Sequence, residues 1–161
     1  MNRTFTPVFC LLDLGFPQRV FGGGGCFQYD REVPDQCNII ADYKDGPSIV
    51  MMNSLSNYTG IETKIRGTNG IIILTDAGIR IAPIDPKTNK ETDEIQLKWN
   101  GMGDTGKLWM NLVDCVKTRR QPFSPIAAAV RVQAPLSMGI IGHRENKVVL
   151  FNPETETLVL S

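Results

Sequence analysis

The chain has 161 residues, of which 42% are hydrophobic and 21% are charged, as is typical of one globular domain that can bury a core. Its 17 basic and 17 acidic residues give zero net charge, which argues against a nucleic-acid-binding protein because such proteins usually carry a basic excess. The longest apolar stretches fall well short of the ~20 residues that span a bilayer, and Pro7 and Asp13 interrupt any signal peptide. We therefore predict a cytoplasmic protein with a single domain, residues 1–161, and neither a membrane nor a nucleic-acid partner.

A short helix followed by a series of strands is predicted for the first hundred residues. The helix covers 7–14, with Pro7 in its first turn, and Gly15 and Pro17 end it. The strands are separated by short turns and not by helices, which favours antiparallel pairing. They are predicted at 18–29, 36–43, 48–57, 61–66, 71–75, 79–84 and 95–99, with a polar loop at 85–94.

Two helices and one more strand, at 147–151, are predicted for the rest of the chain. Asp104 or Thr105 caps the first helix, whose apolar face is formed by Leu108, Trp109, Leu112, Val113 and Val116. The second begins with Ser124 as its cap and Pro125 at its first position, contains Pro135, and extends to about residue 142. Its predicted core face consists of Ile126, Ala129, Val130, Gln133, Ser137, Ile140 and Ile141. The predicted fold class is α+β, an open and mainly antiparallel sheet with helices packed on one face.

Four consecutive glycines, Gly22 to Gly25, are the one feature that suggests a nucleotide site. A dinucleotide-binding loop needs a helix directly after its glycines, and a Walker loop needs Gly-Lys-Ser/Thr. Here the strand-like residues 26–29 and then Pro34 follow, and no Walker sequence is present. The glycines are therefore predicted to belong to a strand that is closely approached by a helix, a neighbouring subunit or another domain.

The residue types that usually carry catalysis or hold metals do not form a recognisable pattern. Cys10, Cys26, Cys37 and Cys115 include no C-x-x-C pair and no zinc spacing, so they are predicted to be buried, reduced thiols and no metal is expected. His143, the single histidine, lies near a helix end, where a cation offsets the helix dipole. A Cys–His nucleophilic pair, and hence an independent hydrolase, stays an alternative.

One group of neutral polar residues could line a site for a sugar or polyol. A solvent-facing strand edge is the alternative explanation for these residues, just as turn chemistry around Pro34 explains the acidic stretch at 30–35. The candidate substrate-binding residues are Asn53, Ser54, Asn57 and Tyr58, with Ser56 between them.

Five stretches distributed along the chain carry a family resemblance. They are LLDLGFPQRV, YDREVPDQCNIIADYKDGPSIVMMNSLSN, IRGTNGIIIL, WMNLVDCVKTRRQP and GIIGHRENKVVLFNPETE. Together they resemble the C-terminal domain of the Gfo/Idh/MocA oxidoreductases, a family of NAD(P)-dependent sugar and polyol dehydrogenases, over about residues 5–155. The resemblance implies an open antiparallel sheet with helices on one face, hydride transfer between NAD(P) and a hydroxyl in the intact enzyme, and subunit association through the sheet.

The sequence also departs from the family. The family's N-terminal Rossmann domain binds the cofactor and carries a Glu-Lys-Pro lysine, and this sequence contains neither the Rossmann fingerprint nor that tripeptide. The family's catalytic Asp/His pair has no match within residues 2–6, and Leu108 stands where many relatives carry a histidine. No catalytic or cofactor-binding residue can therefore be assigned to this chain.

The resulting prediction is a substrate-binding and oligomerisation domain, truncated or split from its Rossmann domain and inactive alone. It implies a homo-oligomer, a possible separate Rossmann domain as partner, a sugar or polyol substrate, and NAD(P) bound by the intact enzyme and not by this chain. The alternative is a stand-alone, non-catalytic binding or scaffold module that dimerises through its sheet.

Overall fold

A computed structural model describes residues 2–57, 59–88, 90–98 and 105–161. Within these ranges the elements are α1 (Asn2–Leu12), β1 (Arg19–Gly25), β2 (Gln36–Asp42), β3 (Ser48–Ser54), β4 (Thr63–Gly67), β5 (Gly70–Thr75), β6 (Gly78–Asp85), β7 (Lys90–Glu91), β8 (Ile95–Lys98), α2 (Thr105–Thr118), α3 (Ile126–Glu145), β9 (Val149–Asn152) and β10 (Thr157–Leu160). The predicted α+β class is confirmed, with antiparallel strands that form two sheets. The chain divides into two compact units, Met1–Thr59 with Ser124–Ser161, and Gly60–Phe123.

The first unit is a five-stranded antiparallel sheet with the order β10-β9-β1-β2-β3. Its register places Val20 opposite Ala41 and Phe21 opposite Ile40. Because side chains alternate across a strand, one face of the sheet lies against the helices and the other stays open. Helix α3 packs across β1, β2 and β9. The buried core contains Phe9, Leu14, Val20, Ile39, Ala41, Tyr43, Met51, Val132, Leu136, Met138 and Val149.

Glycines on both partners allow α3 to lie unusually close to the sheet. A Cβ atom on Gly22 would overlap the carbonyl oxygen of Gly139, and one on Gly139 would lie 2.6 Å from the side chain of Ile39. A Cβ on Gly142 would lie 3.4 Å from the side chain of Val149 in β9. Of the candidates predicted to approach the glycine run, the helix is therefore the element that approaches Gly22.

The predicted core face of α3 is wrong. All of its predicted members are exposed except Ile141, which is half-buried. The buried residues are Val132, Pro135, Leu136, Met138, Gly139 and Gly142. The glycines of α3, Gly139 and Gly142, set the orientation of the helix, because they let its backbone contact the backbone of β1. The predicted Ser124 cap is also wrong, since Pro125 is the N-cap residue and no side chain caps the helix.

Several element boundaries differ from the predictions. Helix α1 begins at Asn2, so Pro7 lies inside the helix and not in its first turn. Strands β1 and β3 end four and three residues earlier than predicted, at Gly25 and Ser54. Strand β10 was not predicted, and it pairs with β9 after a turn. The predicted positions Trp99 and Asp104 lie outside the described residues.

The second unit is a four-stranded antiparallel array, β4-β5-β6-β8, with the two-residue strand β7 also paired to β6. The predicted alternation in β4 is confirmed, with Thr63 and Ile65 half-buried and Lys64 and Arg66 exposed. Helix α2 occupies the predicted range, but Cys115 is its one buried residue among those described. Its predicted apolar face, Leu108, Trp109, Leu112, Val113 and Val116, is exposed.

Candidate functional site

The loop between β1 and β2, residues 26–35, is built around the carboxylate of Asp35. This side chain is fully buried, and its Oδ2 accepts hydrogen bonds from the backbone amides of Phe27 (2.9 Å), Gln28 (2.6 Å) and Tyr29 (3.1 Å). The predicted strand stops at Gly25 because amides that point at a carboxylate cannot also pair with β2. The prediction that turn chemistry explains the acidic residues of 30–35 therefore describes the role of Asp35.

The electrostatics of the loop keep Asp35 ionised. The hydrogen bond from the Gln28 amide, with those from Tyr29 and Phe27 and the nearby charge of Arg31, lowers the pKa of Asp35 although burial opposes that shift. Its other carboxylate oxygen, Oδ1, is buried and has no hydrogen-bond partner within the described part of the chain. A carboxylate held in this way cannot serve as a general acid at neutral pH, so its role is to fix the loop.

Further contacts order the same loop. The Cys26 thiol donates to the carbonyl oxygens of Arg31 (3.1 Å) and Val33 (3.6 Å), and the Arg31 guanidinium lies 4.7 Å from the centre of the Tyr29 ring. Phe27 is 74% exposed. The loop therefore presents aromatic side chains in a fixed arrangement at the end of β1.

The predicted burial of the cysteines is only partly correct. Cys115 is buried and Cys37 is half-buried, and burial raises the pKa of the Cys37 thiol. Cys10 and Cys26 are exposed, the first in α1 and the second in the loop. His143 lies in the last turn of α3, as predicted. Within the described residues, no group of three or more His, Cys, Asp or Glu could hold a metal ion.

The predicted sugar-binding residues lie beside this loop, but they do not share one face. The backbone amide of Leu55 donates to the carbonyl oxygen of Asp35 at 2.8 Å, which ties the end of β3 to the loop. Asn53 follows buried Met51 by two positions and so faces the helix side, whereas Ser54 faces the open side. Their role in substrate binding stays a prediction.

The remaining predicted site residues take part in local turns. Ser54 Oγ accepts from the amide of Ser56 at 3.2 Å, and Asn57 Oδ1 accepts from the amide of Thr59 at 3.0 Å. Tyr58 lies outside the described residues. Because these oxygens already have partners, Asn53 has, among Asn53, Ser54 and Asn57, the side chain with the most freedom to contact a ligand.

A second candidate is an open depression of about 490 Å³ at the opposite end of β1 and β2. Within it, Asp42 accepts from Arg19 Nε at 2.6 Å and from Ser48 Oγ at 2.6 Å. The hydrogen bond from Ser48, then the bond and charge of Arg19, lower the pKa of Asp42. This carboxylate is paired with its own neighbours, so the depression offers a polar surface and not a free carboxylate at Asp42.

The glycine run does not fit a nicotinamide dinucleotide. All four glycines pair with β2 in regular register. The space beside Gly22 is taken by the Gly139 carbonyl oxygen, and the space beside Gly24 by the Gln36 carbonyl oxygen. A pyrophosphate needs amide donors at a helix N-terminus, and these carbonyl oxygens would repel it. The sequence prediction that the run is a strand and not a phosphate loop agrees with this geometry.

No protein-family profile matches the chain. No curated protein matches it in sequence. In structure it is similar to an NAD-binding protein from Listeria innocua, with a TM-score of 0.70 and 14% identity over 92% of this chain and 49% of that one. It is also similar to an oxidoreductase from Agrobacterium radiobacter solved with NAD⁺, L-tartaric acid and magnesium, with a TM-score of 0.64 and 15% identity over 92% of this chain and 47% of that one.

A third similar structure is the WlbA dehydrogenase from Bordetella pertussis, solved with NADH and UDP-GlcNAcA. Its TM-score is 0.57 at 14% identity, over 92% of this chain and 44% of the dehydrogenase. This chain thus spans about half the length of the oxidoreductases that it matches, and it corresponds to their C-terminal half. The fold that the Gfo/Idh/MocA resemblance implies is confirmed. None of the helices in the described ranges is long and apolar enough to cross a membrane.

Proposed function

We propose that residues 1–161 form one substrate-binding and oligomerisation domain of a cytoplasmic NAD(P)-dependent oxidoreductase that acts on a sugar or polyol. The observation that carries this proposal is the fold shared with an oxidoreductase and with an NAD-binding protein, over nearly all of this chain and about half of each of those proteins. The cofactor is held by a Rossmann domain outside these residues, in a longer form of the chain or in a separate protein. This domain alone is therefore inactive.

The chemistry of the two ligand complexes supports the substrate class. One similar protein was solved with L-tartaric acid and NAD⁺, and another with UDP-GlcNAcA and NADH. Both ligands carry hydroxyl groups, and oxidation of a hydroxyl transfers a hydride to NAD(P)⁺ and the hydroxyl proton to a base. In the proposed enzyme, the cofactor and the base come from outside this domain, which contributes the binding surface.

Two measurements on the 161-residue chain test the proposal. We expect calorimetric titration with NADH and NADPH to show no binding, and a micromolar dissociation constant would contradict it. Ligand-observed NMR with a panel of polyols, hydroxy acids and nucleotide sugars should detect weak binding of one class. Asn53→Ala should weaken that binding, whereas Asn38→Ala, on the open face of the same sheet, should not.

The alternative, a non-catalytic scaffold that dimerises through its sheet, makes a different prediction. Its sheet-mediated dimer would form as in the oxidoreductase, but no polyol, hydroxy acid or nucleotide sugar would bind. The ligand panel therefore separates the two functions, and the state of association does not.

A further inference from the structure

Asp35 Oδ1 and Ser56 Oγ are buried oxygen atoms at neighbouring strand ends of the first unit, and neither has a hydrogen-bond partner among the described residues. Burying an unpaired hydroxyl costs free energy, and burying an unpaired oxygen of a charged carboxylate costs more. Asp35 is such a carboxylate, because three backbone amides bind its other oxygen and keep it ionised. Native proteins rarely leave an atom of this kind unpaired, so Oδ1 needs a donor.

The strand pairing brings Asp35 and Ser56 to the same place in the fold. Gln36 pairs with the last residue of β3, and the Leu55 amide donates to the carbonyl oxygen of Asp35 at 2.8 Å. Ser56 is the next residue along the chain. The two unpaired oxygens therefore belong to residues at and beside one backbone hydrogen bond, which joins the loop 26–35 to the end of β3.

Burial and chemistry limit what can bind beside these atoms. Asp35 has no exposed surface, so a sugar hydroxyl or a side chain of another protein cannot reach its Oδ1 unless the loop opens. The bound group must donate to a carboxylate, which only accepts, and it must also suit a hydroxyl, which donates and accepts. The positive charge of Arg31 already acts on Asp35, so a neutral group is sufficient. A water molecule is small enough, is neutral and can donate and accept.

We propose that one water molecule is bound inside this loop, where it donates a hydrogen bond to Asp35 Oδ1 and accepts one from Ser56 Oγ. Water that bridges buried polar groups is part of a protein's structure. Here it links the carboxylate that holds the amides of residues 27–29 to the end of β3, and so fixes the loop beside the predicted sugar-binding residues. This inference does not depend on the proposed function, since it follows from the burial and pairing of two side chains.

A crystal structure of the 161-residue chain tests the proposal directly. We expect an ordered water within about 3.2 Å of both Asp35 Oδ1 and Ser56 Oγ. Crystals soaked in rubidium chloride, whose cation gives an anomalous signal, should show no such signal at this position. Anomalous density there would identify a monovalent cation and would overturn the inference. A protein group bound directly to Oδ1, or an empty space beside it, would overturn it as well.

Amide hydrogen exchange measured by NMR gives a second test, in solution. Ser56→Ala removes one partner of the water, so the amides at 27–29 should exchange about fivefold faster, the factor that corresponds to one net hydrogen bond. The matched control is Ser48→Ala, at the other end of β3, which removes a hydroxyl that donates to Asp42 at 2.6 Å. It should change exchange at 27–29 less than about twofold, because the two ends of the strand are independent.

The exchange rates have two outcomes that contradict the proposal. Unchanged rates at 27–29 in Ser56→Ala would show that this hydroxyl does not help to hold the loop. Equal acceleration in Ser56→Ala and Ser48→Ala would show a general loss of stability and no specific link. If circular dichroism shows that Ser56→Ala does not fold, the wild-type crystal structure still decides. Failure of every polyol, hydroxy acid and nucleotide sugar to bind would count against the proposed function and would leave this inference intact.

Discussion

Helix α3 of the first unit and helix α2 of the second differ in what covers their apolar side chains. The sequence of α2 shows a clear apolar face, yet Leu112 and its neighbours on that face are exposed. The sequence of α3 shows a poorer face, yet Leu136 and Met138 are buried against a sheet. The difference lies in the glycines, since Gly139 lets α3 meet the sheet at Gly22. Periodicity shows that a helix can be amphipathic, but the fit of its partner decides whether it is buried.

The largest expected effect on stability comes from adding a side chain at the point where α3 contacts β1. Gly22→Ala places a methyl group on the Gly139 carbonyl oxygen, so the helix must move away from its sheet. We expect a loss of about 4 kcal/mol or more in the free energy of unfolding, measured by urea denaturation with circular dichroism. Gly15→Ala is the control, because its methyl group would meet nothing within 4 Å. A Gly22→Ala protein with the wild-type midpoint would show that the close approach is not required.

A matched pair of leucine truncations compares the two helices directly. Leu136→Ala leaves a cavity in the first unit, and we expect it to cost about 3 kcal/mol. Leu112→Ala removes an exposed side chain of α2 and should cost less than about 0.5 kcal/mol. Both values come from urea midpoints, with tryptophan fluorescence reporting the second unit, since Trp99 and Trp109 both lie within Gly60–Phe123. Equal losses of unfolding free energy in the two variants would contradict the conclusion that the apolar side chains of α3 are buried and those of α2 are not.

A smaller, pH-dependent effect is expected at Asp35, the buried carboxylate of the first unit. Its pKa is lowered in the folded state, so its stabilising effect is complete above the unfolded pKa of about 3.9 and is lost as the pH falls through the folded value. Asp35→Asn should therefore melt at a lower temperature than wild type at pH 7, and this difference should shrink in strong acid.

Thermal unfolding across that pH range measures the effect, with Asp45→Asn as the control. Asp45 is exposed and has a positive φ of 54°, a conformation that asparagine also tolerates. A melting difference for Asp35→Asn that is independent of pH would mean that the charge of Asp35 does not hold the loop.

Local sequence signals were sufficient for much of the fold. The strand at β2 lies within one residue of its predicted end, because alternating apolar residues and the Lys44–Pro47 turn define it. The same signals were insufficient at the end of β1, where residues 26–29 have strand-like side chains but donate their amides to Asp35. The sequence signal at this point is an acid directly after Pro34 and before a strand, which indicates turn chemistry but does not show that the carboxylate of Asp35 is buried.

The candidate site was also predicted only in part from the sequence. The sequence located Asn53, Ser54 and Asn57 near one strand end, but β3 directs Asn53 and Ser54 to opposite faces. The exposed apolar residues on the open face of the first sheet, Phe21, Ile40 and Val50, were not predicted to lie together, because they are separated in sequence and share a face only through the register of β1, β2 and β3.

The sequence by itself determined the α+β class, the position of most strands, the ends of α2 and the conclusion that the glycine run is a strand and not a phosphate loop. These features depend on residues within a few positions of one another. The tertiary structure alone decided which side of α3 is buried, where β1 ends and which residues share the open face of the first sheet. Those features depend on contacts between distant residues, such as Gly22 with Gly139 and Ile40 with Val50. Local patterns contain no record of such contacts, because the chain makes them only when it folds.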